Sequence, residues 1–265
     1  MCGLTGCWSR ASTGSVQEAS VKVMCIAIAH RGPDDQGVWC DDDAGIALGF
    51  RRLSIIDVSP AGHQPMASET GRYVVTFNGE IYNFAAIRAQ LGDTISWRGH
   101  SDTEVLLAAV ERWGVRGAVE RCAGMFAIAL WDRHEHVLHL VRDRLGEKPL
   151  YFGAFGDTLL FGSELKALRA HPAWRGTIDR GALSLYLRHN YVPAPYSIYE
   201  NVRKVVPGTI ATFRSPSAEP EIATYWSALG VAERGVRDPL TGNDVESVTQ
   251  LESLMRRVIG DEMVA

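Results

Sequence analysis

Short apolar runs separated by polar turns make up most of the first 213 residues. The clearest run is Tyr73-Val74-Val75-Thr76-Phe77, where β-branched and aromatic residues predict a strand. Further strands are predicted at 3–8, 45–50, 125–131, 137–141, near 151, at 159–161 and at 207–213. Helices interrupt these strands without a regular alternation, so the pattern indicates an α+β fold rather than a parallel α/β fold.

Apolar residues at helical spacing predict a first helix over Val16–Ile28. We assign its buried face to the apolar side chains Val16, Ala19, Val23, Ile26 and Ala27. A helix with such a face is expected to pack on the sheet formed by the strands around it.

Ser101 begins a second predicted helix, which runs to Gly114, and Glu104 completes a capping box with it. Three more helices are predicted, a short one from Ser163, one from Asp179 to about His189, and one over 245–263. The last helix places one apolar stripe on a single face, formed by Val248, Leu251, Leu254, Met255, Val258 and Ile259. An apolar stripe of this kind implies a partner surface.

The charge balance argues against nucleic-acid and membrane-surface partners. The 265 residues include 27 basic and 31 acidic side chains, which gives a net charge of -4 without a strong run of either sign. No apolar run approaches the roughly 18 residues needed to span a bilayer, and the first 30 residues lack a basic segment followed by an apolar one. We therefore expect a cytoplasmic protein.

Five cysteines occur, at positions 2, 7, 25, 40 and 122. An odd number without a Cys-x-x-Cys pair argues against a disulfide scaffold. The spacing of Cys2, Cys7, Cys25 and His30 matches no paired zinc pattern, so no metal site is predicted. Cys25 and Cys122 are interpreted as small apolar core residues.

Cys2 follows the initiator methionine directly, and removal of Met1 would place a thiol and a free α-amine on one residue. The unperturbed pKa of a thiol is roughly 8.5 and that of an α-amine roughly 8, so the amine can take the thiol proton near neutral pH. This pairing is the nucleophile and base of N-terminal hydrolases. From its position alone, Cys2 is equally well an incidental N-terminal residue.

Three further positions carry candidate chemistry, each with a simpler alternative. Arg51 and Arg52 should point to opposite faces of a strand, so one guanidinium can hold a carboxylate, or both lie on the surface. Asn78-Gly79 can supply an amide and a backbone donor to an oxyanion, or it forms a hairpin turn. Asp102 can meet an ammonium group, or it complements the helix dipole.

Nine motifs occur in a fixed order over about 170 residues: MCGLTG from Met1, RGPDDQG from Arg31, RRLSIID from Arg51, AGHQPM from Ala61, FNGEIYN from Phe77, SDTE from Ser101, GMFA from Gly124, DRLGEKPLY from Asp143 and FGSELKAL from Phe161. Together they resemble the class II glutamine amidotransferase domain, most closely the N-terminal half of glutamine-hydrolysing asparagine synthetase. RLSIID and FNGEIYN separate this family from the sugar-phosphate and phosphoribosyl amidotransferases.

The resemblance implies an Ntn-hydrolase fold, a four-layer α/β/β/α sandwich with two antiparallel sheets. It implies that Cys2 attacks the side-chain amide of L-glutamine, forms a γ-glutamyl thioester and releases ammonia. Asn78 and Gly79 would form the oxyanion hole. The resemblance assigns glutamine binding to Arg52, Leu53, Ser54, Ile55, Ile56, Asn78, Gly79, Glu80 and Asp102, with Arg52 on the α-carboxylate and Glu80 and Asp102 on the α-ammonium.

Family members continue into an ATP-pyrophosphatase domain with an SGGxDS loop, which these 265 residues lack. We therefore expect a glutaminase domain over 2–213, a linker over 214–244 and the start of an incomplete synthetase domain over 245–265. No cofactor is expected in this chain, and ATP and Mg²⁺ are expected only for the missing domain.

The expected partner is a synthetase domain or subunit that receives the ammonia, which in the full enzyme amidates an ATP-activated aspartate to asparagine. A homodimer is a further expectation. Two alternatives stay open: an amidotransferase half for another carboxylate acceptor, and a non-catalytic regulatory or interaction module.

Overall fold

Two six-stranded antiparallel sheets form the body of the molecule in a computed structural model that describes residues 1–10, 14–55, 57–92 and 95–263. Sheet A has the spatial order β10 (Val202–Lys204), β8 (Tyr151–Phe155), β9 (Thr158–Gly162), β1 (Gly3–Ser9), β3 (Ile46–Arg52), β2 (Asp35–Asp41). Sheet B has the order β12 (Glu221–Thr224), β11 (Thr209–Phe213), β7 (Val137–Arg142), β6 (Gly124–Asp132), β5 (Tyr73–Ile81), β4 (Met66–Ala67). The strands predicted from the apolar runs are all present.

Seven α-helices are found among the described residues: α1 (Gly14–Ala27), α2 (Phe84–Leu91), α3 (Asp102–Arg121), α4 (Leu165–Arg169), α5 (Arg180–His189), α6 (Ala228–Arg237) and α7 (Asp244–Glu262). α1 and α4 pack on the outer face of sheet A. α2 and α3 pack on the outer face of sheet B. The result is the predicted four-layer sandwich.

The two sheets meet through a core of large apolar side chains, among them Leu4, Trp8, Phe50, Trp131 and Phe161. The rings of Trp8 and Trp131 pack edge to face, with their centroids 5.1 Å apart. Edge-to-face contact between aromatic rings adds to the free energy gained by burying them. This core fixes the position of sheet A relative to sheet B.

β1 lies in the middle of sheet A, where it pairs with β3 on one side and β9 on the other. All seven of its residues are buried. Small residues are required here, because a Cβ added to Gly6 would lie 2.3 Å from the ring of Phe161. The first strand therefore leads the N-terminus into the body of the molecule.

β5 runs from Tyr73 to Ile81, so the prediction that this strand stops at Asn78 is wrong. Asn78 pairs with Ala127 and Gly79 pairs with Phe126 in β6. The long pairing with β6 outweighs the local preference of Asn-Gly for a turn. On its other edge, β5 pairs with β4 at Val74 and Val75, and the carbonyl of Tyr73 accepts the backbone N–H of Ser68.

The predicted helix over 16–28 is present, but its buried face is wrong. Val16, Val23 and Ile26 are exposed. The buried face instead consists of Gln17, Ser20, Val21, Met24, Cys25 and Ile28. Two polar side chains on this face conceal it in the sequence, since the Nε2 of Gln17 and the hydroxyl of Ser20 donate to backbone carbonyls.

Ser101 caps α3 as predicted, with its hydroxyl accepting the backbone N–H of Glu104. The second half of the predicted capping box is wrong. The carboxylate of Glu104 accepts the backbone N–H groups of Arg98 and Gly99 instead. The predicted end at Gly114 is a kink with φ at 71°, beyond which α3 continues to Arg121.

The C-terminal part of the described chain differs from the prediction at one boundary. β12 (Glu221–Thr224) pairs with β11, so sheet B extends past residue 213, where the predicted linker begins. α6 also lies inside the predicted linker range. α7 begins at a complete capping box of Asn243 and Glu246, and its predicted apolar stripe is exposed. The division into domains stays a prediction.

Candidate active site

A narrow cavity of about 50 Å³ lies where the start of β1 meets the uncovered edge of β5. It is lined by Cys2, Arg52, Leu53, Ile55, Asp57, Gly62, Gln64, Phe77, Gly79, Glu80, Ser101, Asp102 and Thr103. Seven of the predicted site residues are therefore found around one space. A larger groove of about 730 Å³ runs along α3 but contains none of the predicted site residues.

Cys2 lies just before β1, with its thiol at the cavity. Its Sγ is 3.3 Å from the backbone N of Leu53, which donates to it, and 3.4 Å from the carbonyl oxygen of Leu53. Burial raises the pKa of the Cys2 thiol, while the Leu53 backbone, the chain's amino terminus and Arg52 act to lower it. The thiol is thus held in place and needs a nearby base to ionise.

Arg31 fixes the main chain of Cys2. Its buried guanidinium donates to the carbonyl oxygen of Cys2 at 2.8 Å and to the carboxylate of Glu164 at 2.9 Å. Burial favours the neutral acid at Glu164, but hydrogen bonds from Arg31, Lys166 and His30 lower its pKa to about 2. The RGPDDQG and FGSELKAL motifs therefore meet at the nucleophile.

The direction of the Gly79 N–H follows from the pairing of β5 with β6. Gly79 is opposite Phe126, whose N–H and carbonyl both bond to Asp143 on the far side of β6. Opposed residues of an antiparallel pair that do not bond each other direct their polar groups away from each other. The Gly79 N–H therefore points away from β6, toward the cavity.

Two neighbouring positions on the same edge of β5 confirm this alternation. The backbone N–H of Phe77 donates to the side chain of Gln64 at 2.7 Å. The N–H of Ile81 donates to the carboxylate of Asp102 at 2.9 Å. Gly79 lies between them and lines the cavity. Glycine is required there, because an added Cβ would lie 2.2 Å from the carbonyl oxygen of Met125.

Asn78 is 1% exposed and lies beside Gly79 on β5. Its side-chain Nδ2 is buried and has no hydrogen-bond partner within the described residues. A buried amide without a partner costs stability. Such an orphaned donor is a feature of sites that bind a developing negative charge.

Arg51 and Arg52 diverge as predicted. Arg51 bonds to the carbonyl of Gly32 and the side chain of Gln36, away from the cavity. Arg52 is buried, lines the cavity and donates to the carbonyl oxygens of Asp57 and Ser59. A carboxylate that bound Arg52 would compete with these two carbonyls.

Asp102 is buried, and its Oδ2 accepts the Ile81 N–H. Burial raises the pKa of this carboxyl to about 6, despite backbone hydrogen bonds that lower it, and the nearby charge of Glu80 adds to the rise. Glu80 itself is half-buried and lines the same cavity. Asp102 and Glu80 bring two carboxyl groups to one cavity, which suits the binding of an ammonium group.

The remaining predicted residues lie on the loop after β3. Leu53 and Ile55 line the cavity, and the backbone N–H of Ser54 donates to Asp34 at 2.8 Å. Ser54 and Asn78 are not among the lining residues. Ile56, another predicted site residue, lies outside the described residues.

Sequence reasoning missed six cavity residues: Asp57, Gly62, Gln64, Phe77, Ser101 and Thr103. Asp57 accepts the backbone N–H groups of Ser59 and His100, and these bonds lower its pKa against the effect of burial. Asp57, Gly62 and Gln64 belong to the RRLSIID and AGHQPM motifs. Their presence in these motifs marks them as candidate site residues, but the motifs do not specify which residues they contact.

Within the described ranges, no three His, Cys, Asp or Glu side chains are grouped so that they could hold a metal ion. Cys25 and Cys122 are buried, and burial raises the pKa of each thiol to about 12. These thiols are core residues, as the sequence predicts. The helices of the described chain include none that is long and apolar enough to cross a bilayer.

The family model for a glutamine amidotransferase domain matches residues 1–226. The chain belongs to this family. The match ends two residues after β12, which supports the inclusion of that strand in the amidotransferase domain.

Among curated proteins, the chain is 40% identical over 232 residues to asparagine synthetase [glutamine-hydrolyzing] 1 of Bacillus subtilis, a match covering 86% of this chain and 36% of that protein. It is 34% identical over 246 residues to amidase chry2 of Gibberella zeae, covering 90% of this chain and 35% of that protein. The chain thus spans about a third of the length of these relatives.

Among solved structures, the chain resembles glutamine phosphoribosylpyrophosphate amidotransferase from B. subtilis, with a TM-score of 0.61 and 18% identity. The match covers 84% of this chain and 49% of that structure. At this identity the likeness shows the fold. It confirms the Ntn-hydrolase architecture predicted for the amidotransferase domain.

Proposed function

We propose that this chain hydrolyses L-glutamine to glutamate and ammonia, with Cys2 as the nucleophile once Met1 has been removed. One juxtaposition supports the proposal: the thiol of Cys2, the backbone N–H of Gly79 and the carboxylate of Asp102 face a single narrow cavity. The Cys2 nitrogen is a peptide nitrogen while Met1 is present. Removal of Met1 converts it to the amine that serves as base.

In the proposed mechanism, the α-amine takes the thiol proton and Sγ bonds to the side-chain amide carbon of glutamine. The C–N bond then breaks, and the amine returns the proton to the leaving nitrogen, which departs as ammonia. Water attacks the resulting thioester carbon, the Sγ–C bond breaks, and glutamate leaves with the thiol restored. Each attack places negative charge on the former amide oxygen.

The Gly79 N–H and the orphaned amide of Asn78 are proposed as the donors that stabilise this charge. Their position in β5 keeps them fixed before the substrate binds, since β5 is paired along its whole length with β6. Donors that need no reorganisation during the reaction lower the barrier more than mobile ones do.

Selection of an amino acid over a bare amide is assigned to charges at the other end of the cavity. Arg52 is proposed to exchange its contacts with the Asp57 and Ser59 carbonyls for the substrate α-carboxylate. A carboxylate forms stronger, charge-assisted bonds to guanidinium than a neutral carbonyl does. The backbone of residues 53 to 55 is proposed to lie near this α-carboxylate, and Asp102 and Glu80 are proposed to bind the α-ammonium.

The acceptor of the ammonia is proposed to be an activated aspartate, as in a glutamine-hydrolysing asparagine synthetase, with ATP and Mg²⁺ bound by the synthetase part. The 40% identity to the B. subtilis protein supports this reading. Another carboxylate acceptor stays the alternative prediction, because the similar proteins also include one that is named for a different activity, amidase chry2. The cytoplasmic location, the homodimer and the synthetase partner stay predictions.

The test measures glutamate release from glutamine by untagged protein, after removal of Met1 has been verified by intact mass. Wild type should release glutamate, and Cys2→Ala should lose at least about a thousandfold in rate. Cys40→Ala is the matched control, because Cys40 is a half-buried thiol on β2 outside the cavity.

Loss of activity in Cys40→Ala as well would mean that the substitutions act through folding. A trimmed wild type that releases no glutamate would overturn the proposed hydrolysis and favour a non-catalytic module.

A further inference from the structure

β5 has an open edge near Gly79 because the segment before β4 does not continue the main-chain pairing that β4 makes with β5. β4 pairs with β5 as Met66 opposite Val75. Continuing this antiparallel register places Gln64 opposite Phe77 and Gly62 opposite Gly79. If the main chain kept that pairing, the segment before β4 would cover the Gly79 N–H.

The main chain of β4 instead begins only at Met66, and the side chain of Gln64 takes over the pairing. Its Oε1 accepts the Phe77 N–H at 2.7 Å, and its Nε2 donates to the Phe77 carbonyl at 3.3 Å. The same Nε2 is 3.2 Å from the hydroxyl of Thr103 in α3. Gln64 is 5% exposed, so these bonds form in a water-poor environment.

The side-chain amide of Gln64 therefore makes the bonds to Phe77 that its main chain would make in a continued strand. The pairing ends there, one hydrogen-bonding position before Gly79. Beyond Gly79, the carboxylate of Asp102 fixes the Ile81 N–H on the same edge. Two side chains therefore bond to the strand on either side of Gly79, which lines the cavity. The displaced segment leaves Gly62 at the cavity wall, next to Arg52.

We propose that Gln64 is a positioning residue for the oxyanion hole: its side chain pairs with Phe77 so that the neighbouring Gly79 N–H stays both fixed and uncovered. The inference rests on the proposed glutamine hydrolysis. Gln64 acts through the strand, so its loss should affect the transition state, where the oxyanion forms, more than the binding of glutamine.

The test compares two buried glutamines that make similar bonds in different places. Gln64→Met removes the bonds to Phe77 at nearly the same volume. Gln17→Met is the matched control, because Gln17 is 2% exposed and donates to the carbonyls of Ser9 and Gly45, at the opposite end of β1 from Cys2. Both variants lose hydrogen bonds to main chain, but only Gln64 touches β5.

Gln64→Met should lower kcat by about tenfold to a hundredfold, while KM for glutamine stays within about threefold of wild type. Alkylation of Cys2 by iodoacetamide should keep its wild-type rate, because that reaction forms no oxyanion. Gln17→Met should keep the wild-type kcat. Melting temperatures of both variants identify any loss of folded protein.

A second variant and a second measurement keep the inference testable if Gln64→Met folds poorly. Gln64→Glu retains an acceptor for the Phe77 N–H but loses the donor, and it should lower kcat by less than Gln64→Met. Hydrogen exchange should become faster at the Phe77 amide in Gln64→Met and remain at the wild-type rate there in Gln17→Met.

Wild-type kcat in a folded Gln64→Met would overturn the positioning role, with the hydrolysis itself intact. An equal loss of kcat and alkylation rate would also overturn it, since the defect would then lie at Cys2. A trimmed wild type that does not hydrolyse glutamine would remove the proposed function and this inference with it.

Discussion

The strand that leads from the nucleophile and the strand that carries the oxyanion donor are built in opposite ways. β1 is paired on both edges and buried at all seven positions, and Cys2 reaches the cavity because it lies just before the strand begins. β5 is paired along its length on one edge only, and Gly79 reaches the cavity from within the strand, through the uncovered edge.

Because of this difference, substitutions in the two strands should affect different properties of the protein. Substitutions within β1 disturb the middle of a sheet and the core between the sheets, so they should mainly lower the stability of the fold. Substitutions along the uncovered edge of β5 should change catalysis while much of the core stays intact. The packing of Trp8 on Trp131 joins the sheet that begins next to the nucleophile to the sheet that carries the donor.

Among variants that keep the Cys2 nucleophile, the largest effect is expected from Gly79→Ala. The added Cβ would lie 2.2 Å from the carbonyl oxygen of Met125, so the strand must shift and carry the N–H with it. We expect kcat to fall by about a hundredfold, the typical cost of losing one oxyanion donor. Steady-state kinetics of glutamate release measure this loss.

Gly235→Ala is the control for this substitution, because a Cβ at Gly235 in α6 meets no atom within 4 Å. It should keep wild-type activity. A fully active Gly79→Ala would show that the strand edge is not the oxyanion site.

A smaller effect, on binding, is expected from Asp102→Asn. The amide keeps an acceptor for the Ile81 N–H but removes the charge that faces the ammonium. We expect KM for glutamine to rise about tenfold to a hundredfold, since a hydrogen bond to a charged group contributes roughly 1.5 to 3 kcal/mol. The melting temperature at neutral pH should not fall, because the variant no longer buries a carboxylate.

The pH dependence of KM sharpens this prediction. The pKa of Asp102 is raised to about 6, so its charge is lost as the pH falls through 6, and glutamine affinity should fall with it. Stability changes in the opposite direction. Because the pKa of Asp102 is higher in the folded than in the unfolded chain, the free energy of unfolding should fall as the pH rises from about 4 to 6. In Asp102→Asn, the step in KM near pH 6 should disappear. A step that persists would assign the titration to another group.

The smallest effect is expected from Glu164→Ala. Glu164 holds the Arg31 guanidinium that bonds to the Cys2 carbonyl, so its loss should loosen the nucleophile without removing any group that meets substrate. We expect kcat to fall about threefold to tenfold, in line with a small misplacement of a reacting atom. Lys166→Ala removes a neighbour of Glu164 that does not contact Cys2 and should keep full activity. Equal losses in both variants would contradict a role through Arg31.

Much of the fold could be predicted from the sequence because apolar runs specify strands wherever both faces are buried. The errors occur where a distant contact outweighs a local preference. Asn78-Gly79 favours a turn locally, yet pairing with β6 holds it in a strand. The buried face of α1 includes Gln17, whose Nε2 donates to carbonyls of β1 and of the turn before β3.

The site could be predicted only as far as single motifs carry a recognisable chemistry. Cys2 and Arg52 have functional groups whose roles can be deduced from their type. Gln64 could not be found in this way, because its role depends on a register between β4 and β5 that no local pattern specifies. Arg31 was missed for the same reason, since its contact with Cys2 joins residues 29 positions apart.

The alternation of polar groups along β5 constrains how this segment can change in length. Odd-numbered positions from 77 to 81 direct their N–H groups away from β6, to the edge of β5 on which Gly79 lines the cavity, and even-numbered ones bond to β6. Insertion or deletion of one residue between the β4 pairing and Gly79 would exchange the two sets and turn the Gly79 N–H into the sheet. Insertions in the loop between β11 and β12 shift no such alternation. In homologous genes, single-codon insertions and deletions should therefore be absent between the β4 pairing and Gly79 and tolerated in the loop between β11 and β12.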